Sequence, residues 1–186
     1  GSYSDAYGST ACTLCPRTTY SPLPGAQSAA SCLACPKGKF SNLTGQSQCT
    51  DCFNHSYADR EGSAECTACP ENTISARGTS LRGHCLCKPG YTGNMFFDQN
   101  CSKCTAGLYK DTPGPSECLP CPSATYSPAI GNSDVTNCSL CPANATSSAG
   151  STHLYACQCL PGFTGQNGST CEACRAGTFQ PETGPA

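Results

Sequence analysis

The residues that carry chemistry in this chain are its cysteines. Twenty of the 186 residues are Cys. They form ten close pairs: 12/15, 32/35, 49/52, 66/69, 85/87, 101/104, 118/121, 138/141, 157/159 and 171/174. Eight pairs are Cys-x-x-Cys, and two, Cys85-Leu86-Cys87 and Cys157-Gln158-Cys159, close up to Cys-x-Cys. Paired thiols at such spacings serve three chemistries: tetrahedral zinc, thiol–disulfide exchange and structural disulfides. Zinc ribbons take cysteines in groups of four, and an unbroken ladder of pairs marks no such groups. A redox pair needs a strand–helix setting that lowers a thiol pKa. No segment here has a 3.6-residue apolar period long enough for a helix. Structural disulfides use all the pairs, so no metal and no cofactor is expected.

A small repeated element must position these thiols. Between pairs the chain reads Gly or a polar residue, an aromatic, Ser, then Gly before the next cysteine. The pattern shows in TTYSPLPG (18–25), GKFSNLTG (38–45), GLYKDTPG (107–114), ATYSPAIG (124–131) and GTFQPETG (177–184). Pro often follows the second cysteine, as at Pro16, Pro36, Pro70, Pro122 and Pro142. One aromatic and one turn glycine in so short a segment predict a tiny two-stranded hairpin, its aromatic on the neighbouring disulfide and its glycine at φ > 0. Isolated hairpins are marginal in water, so the disulfides must hold them. A longer period lies above this one: Cys32 to Cys101 is 69 residues and Cys101 to Cys171 is 70. Each such block runs through three Cys-x-x-Cys pairs and ends on Cys-x-Cys.

Two connectivities fit the spacing. In a ladder, the second cysteine of each pair joins the first of the next. The bonds are then Cys15–Cys32, Cys35–Cys49, Cys52–Cys66, Cys69–Cys85, Cys87–Cys101, Cys104–Cys118, Cys121–Cys138, Cys141–Cys157 and Cys159–Cys171. That scheme leaves Cys12 and Cys174 to partners outside the chain. In the other scheme, first joins first and second joins second in alternate gaps. The ladder is preferred because each closed loop then holds one complete hairpin. Loops of this size stabilise by roughly 3 kcal/mol each on the chain-entropy account.

Composition agrees with a covalently held chain. Only 12% of residues are charged, Trp is absent and Met occurs once, while Gly and Pro number 19 and 15. So few long aliphatics cannot offset the conformational entropy of folding by burial alone. A net charge of −2 with scattered basic residues gives no phosphate-binding patch, so no nucleic acid is expected. No apolar run is long enough to span a membrane in this segment. Gly1 falls inside a repeat and 175–186 ends just before the next cysteine is due, so the chain reads as a window on a longer array.

CTAGLYKDTPGPSECLPCP (104–122) and CPSATYSPAIGNSDVTNCSLCP (121–142) resemble the ephrin-receptor-like cysteine-rich repeat. The first cysteine loops are similar to tumour-necrosis-factor-receptor modules. CLCKPGYTG (85–93) and CQCLPGFTG (157–165) are similar to the C-terminal half of an epidermal-growth-factor (EGF)-like module. The array as a whole resembles the mastigoneme proteins of protist flagellar hairs. The resemblance implies an extracellular disulfide-rich architecture. The acidic calcium signature of calcium-binding EGF-like modules is missing, and ENTISARG (71–78) and ANATSSAG (143–150) lack the aromatic.

Six Asn-x-Ser/Thr sequons, at Asn42, Asn54, Asn100, Asn137, Asn144 and Asn167, are candidate glycan sites. In two of them, at Asn100 and Asn137, a cysteine is the middle residue. The histidines, His55, His84 and His153, lie in polar contexts and fit surface roles, and no catalytic triad or carboxylate pair can be assembled. Met95-Phe96-Phe97 is a candidate assembly contact, with local packing against Tyr91 as the plainer reading.

The expected fold is small, disulfide-rich and mostly irregular: short β-hairpins in an elongated tandem-repeat rod, with no helices of note. Each module should touch only its neighbours. Residues 1–31 are a partial module, 32–100 and 101–170 two four-pair blocks, and 171–186 the truncated start of a third. At each Cys-x-Cys, successive disulfides should sit closer and differ in bond direction, bending the rod once per block. The expected role is structural, not enzymatic: an extracellular fibre or cell-surface appendage that self-associates or joins other fibre subunits and carries covalent glycans. The alternative is the stalk of a receptor or adhesion protein that binds a protein ligand.

Overall fold

The computed structural model describes residues 1–97 and 100–184. Among these, regular structure is reduced to twenty two-residue strands and five three-residue 3₁₀ turns, with no α-helix. The strands form ten two-stranded sheets, each joining strands consecutive in sequence. Typical antiparallel registers are Thr19↔Ala34 with Tyr20↔Leu33, and Lys39↔Asp51 with Phe40↔Thr50. The hairpins do not sit wholly inside the disulfide loops, contrary to expectation. Thr19–Tyr20 lies between Cys15 and Cys32, whereas its partner Leu33–Ala34 lies between Cys32 and Cys35. Two residues fit between the cysteines of a pair, where flanking disulfides hold them extended.

Nine disulfides join Cys15–Cys32, Cys35–Cys49, Cys52–Cys66, Cys69–Cys85, Cys87–Cys101, Cys104–Cys118, Cys121–Cys138, Cys141–Cys157 and Cys159–Cys171. These are the pairs of the ladder scheme. Among the described residues cysteine dominates the buried apolar side chains; Tyr57, Ala58, Met95 and Ala145 are the others. Loop length accounts for four of the five 3₁₀ turns; Met95–Phe97 lies in the Cys87–Cys101 loop of separation 14. The four loops of separation 16 or 17 each place one directly before the closing cysteine: Ala29–Ser31, Arg82–His84, Val135–Asn137 and Leu154–Ala156. Each turn absorbs the extra residues and ends with the cysteine N–H donating back into it, as Cys32 N–H does to Ala29 O.

One backbone pattern repeats from step to step. The residue ahead of the first strand of these hairpins is left-handed: Gly at 38, 90, 107 and 162, but Thr18, His55, Asn72, Ala124 and Asn144 elsewhere, with φ between 60° and 72° at the non-Gly sites. At the Cys-x-x-Cys steps its carbonyl accepts from the second cysteine of the next pair, as in Cys35 N→Thr18 O (2.9 Å), Cys52 N→Gly38 O (2.8 Å) and Cys121 N→Gly107 O (2.8 Å), whereas before Cys157-Gln158-Cys159 the donor to Asn144 O is Leu160 N–H (2.9 Å). Its own N–H donates into the following step, as in Gly38 N→Ala58 O and Gly107 N→Ser127 O, both 2.8 Å. The turn glycine returns a bond to the previous step, with Gly62 N→Cys35 O at 2.7 Å and Gly131 N→Cys104 O at 2.7 Å.

Contacts also reach further than nearest neighbours. A Cβ on Gly38 would lie 2.3 Å from Gly78 O, two steps along, and one on Gly107 would lie 2.2 Å from Gly150 O. A two-residue strand adds so little length that bare backbone meets bare backbone at the next step but one. The chain divides into two compact units, Gly1–Leu86 with Asn94–Asn100, and Cys87–Gly93 with Cys101–Ala186. The division falls inside the first Cys-x-Cys. In the first unit Asp51 takes a hydrogen bond from Lys39 and faces Arg77 at 3.6 Å, while Phe40 and Phe53 meet edge-on. In the second, Tyr126, Leu154 and Phe163 pack on a core of Ala145, Cys157, Cys159 and Cys171.

Candidate functional site

The Cys-x-Cys steps depart most from the common pattern. In a typical Cys-x-x-Cys, the second cysteine is buried and the first is more open: Cys121 against Cys118, Cys35 against Cys32. At Cys85/Cys87 and Cys157/Cys159 all four are buried. The expected difference in bond direction rested on alternation between adjacent side chains. With one residue between them, two cysteines of an extended segment share a face, and here that face is the core.

The closing Gly-aromatic-Thr-Gly shifts the repeat by one residue. Elsewhere the position after the first hairpin strand is small, and it is buried at Ser21, Ser41, Ala58, Ser127 and Ser147. In the Cys-x-Cys steps, the strands Tyr91–Thr92 and Phe163–Thr164 are followed by Gly93 and Gly165. The next step then carries a long polar residue where others have Ser: Lys110 after Gly93, Gln180 after Gly165. Lys110 is 1% exposed, and its Nζ donates to Tyr91 O at 2.8 Å and to Gly114 O. Burial holds its ammonium below the ordinary lysine pKa. The sequence reading passed over Lys110, although GLYKDTPG shows it standing where its sister repeats have Ser.

Met95, Phe96 and Phe97 form a 3₁₀ turn over residues of the Arg82–His84 turn. Met95 is buried. The Phe96 ring lies on Gly83, where a Cβ would come within 2.4 Å of it, and meets His84 edge-on at 5.6 Å. Phe97 stays 75% exposed. The second Cys-x-Cys fills the same seam from the other side. Leu154, at the position of Arg82, presses on Gly168, where a Cβ would lie 3.1 Å from Leu154 Cγ. A large residue on the loop faces a glycine on the turn in one block, and the reverse holds in the other. That exchange accounts for the aromatic run in one loop and QNGST in its counterpart.

The sequon asparagines fall into distinct settings. Asn42, Asn54 and Asn100 are exposed. Asn137 closes a capping box, its Oδ1 accepting from Asp134 N–H, and the hydrogen bond from Thr136 N–H to Asp134 keeps that carboxyl below its usual range. Asn144 Nδ2 donates to Cys171 O at 3.0 Å from a left-handed backbone. Asn167 Oδ1 is buried without a partner. His55 and His84 are exposed, and His153 precedes the Leu154–Ala156 turn without capping it through its side chain. Cys12 is exposed and Cys174 half-buried, both outside the nine disulfides. Among the described residues no three His, Cys, Asp or Glu side chains gather as metal ligands, and no helix is long and apolar enough to cross a membrane.

The repeat sequence has counterparts among known proteins. The family described as tyrosine-protein kinase ephrin type A/B receptor-like matches residues 1–41, 38–85 and 93–138. The chain is 34% identical over 116 residues to the rat "Sushi, von Willebrand factor type A, EGF and pentraxin domain-containing protein 1", covering 60% of this chain and 3% of that protein. It is 33% identical over 133 residues to the zebrafish "Signal peptide, CUB and EGF-like domain-containing protein 2", covering 68% of this chain and 12% of that protein. Over 77 residues it is 36% identical to "Cysteine repeat modular protein B" of Toxoplasma gondii, covering 41% of this chain and 1% of that protein. The chain thus spans a small part of each relative's length. With more than two thirds of its residues matched and a hydrogen-bonded disulfide step recurring through both units, the chain belongs to the ephrin-receptor-like family of cysteine-rich repeats.

Proposed function

We propose that the chain is a structural segment of an extracellular fibre or cell-surface appendage, such as a flagellar hair, that self-associates and carries covalent glycans. The observation that carries this reading is the recurrence of one backbone hydrogen-bond set from step to step, with cysteine as the core. Such a scaffold needs an oxidising compartment and suits load and spacing more than chemistry. The naming of EGF-like domains in two relatives supports an extracellular setting.

Electron microscopy of the native material tests the proposal: periodic filaments are expected. Dispersed monomers that bind a protein ligand would point instead to the stalk of a receptor or adhesion protein. Replacing Phe96 and Phe97 together by Ser should leave the disulfides intact and impair lateral assembly. Assembly at the parental rate would remove these two rings from the contact.

A further inference from the structure

We infer that N-linked carbohydrate is confined to two of the six sequons, Asn42 and Asn54, and that the second unit carries none. The inference rests on the extracellular reading above and deepens it by assigning the modified residues. Glycan transfer forms a bond from Asn Nδ2 to the anomeric carbon of a lipid-pyrophosphate-linked oligosaccharide. The bond from that carbon to the pyrophosphate oxygen breaks, and one amide proton is released. The acceptor amide must therefore be free to leave the protein surface, and the attached sugar needs solvent around it.

Asn42 and Asn54 meet that requirement. Both are exposed, as Asn100, Asn137 and Asn144 also are, and among the described residues no hydrogen bond ties either side-chain amide. Asn144 does not. The residue is exposed, but its Nδ2 already donates to Cys171 O, tying the start of one step to the cysteine that closes the next disulfide loop. Asn167 is half-buried with its Oδ1 turned into the protein, so its amide is not free to swing out to solvent. Asn137 is held in its capping box, and the residue after it, Cys138, is bonded to Cys121. Asn100 precedes Cys101, which is bonded to Cys87. All six sequons lie at loops that close over only 12–17 residues, so loop size does not separate them; what separates them is how each asparagine is held once its loop has closed. Disulfide closure competes most directly with transfer at Asn100 and Asn137, where the bonded cysteine is the middle residue of the sequon.

The test is secretion of the full chain from a eukaryotic host, enzymatic release of N-glycans in heavy-oxygen water, and peptide mapping of the asparagines converted to labelled aspartate. Conversion at Asn42 and Asn54 alone is expected. Conversion at Asn100, Asn137, Asn144 or Asn167, or its absence at Asn42 and Asn54, overturns the assignment. The same digest, run without reduction, reads the disulfides. An intact ladder with a different glycan pattern sinks this inference alone, whereas reduced cysteines would sink the extracellular reading. Asn42→Gln with Asn54→Gln should leave a carbohydrate-free chain with unchanged disulfides. Asn144→Gln should keep both glycans.

Discussion

Single residues set how tightly each step can stack. Gly38 is required twice over: its φ of 81° disfavours any side chain, and a Cβ would meet Gly78 O at 2.3 Å. Gly38→Ala should speed amide exchange at Gly78 and Cys52 markedly, whereas Ala at the uncrowded Gly8 should leave those amides unchanged. Ala124 holds the same left-handed conformation with a side chain, at a cost of about 1–2 kcal/mol. Ala124→Gly should recover part of that as slower exchange of Cys141 N–H, which donates to Ala124 O. Lys110 is the opposite case, a long side chain where the repeat asks for a small one. Lys110→Met keeps the stem but leaves Tyr91 O and Gly114 O unpaired, at about 1–3 kcal/mol. Its folded pKa lies below its unfolded one, so the unfolded chain binds more protons between the two. Stability of the second unit should therefore rise as pH climbs through that window toward the ordinary lysine value. Denaturant midpoints at neutral and alkaline pH, with free thiols blocked, should show that rise, and Lys110→Met should abolish it.

At the scale of the element, the step is a clamp: two extended residues between paired cysteines, an aromatic strand across from them, and a left-handed residue that turns its amide to the next step. Much of this was legible. Aromatic and turn-glycine positions fixed where each hairpin begins, and cysteine spacing fixed which loops close. The left-handed site was not legible at Thr18 or Ala124, because neither residue favours that conformation and only tertiary hydrogen bonds impose it. The 3₁₀ turns were missed because three residues give no period to detect. The Phe96–Gly83 and Leu154–Gly168 seats were hidden for another reason: each pairs residues from different loops, and only their comparison shows the exchange. Leu154→Ala should loosen the second seat, seen as faster exchange at Gly168 N–H, whose bond to Cys157 O closes it. Surface charge plays a smaller part. The Asp51 carboxyl is held below its ordinary pKa first by the hydrogen bond from Lys39 and then by the charges of Lys39 and Arg77. Its NMR titration midpoint should move up in Lys39→Met.

For the whole molecule, covalent order replaces a hydrophobic core. Each unit is built from closed loops of similar size, and each loop passes hydrogen bonds forward and back, so stability accrues locally rather than around one centre. The same construction explains why composition alone excluded an ordinary globular interior and why cysteine fills so much of what is buried. Everything above depends on the second cysteine of each pair joining the first of the next. Non-reducing peptide mapping of the native chain, with free thiols trapped before digestion, tests that claim directly. The account predicts nine linked peptides, from Cys15–Cys32 through Cys159–Cys171, with Cys12 and Cys174 outside this set. A peptide joining Cys15 to Cys35, second cysteine to second, would contradict it.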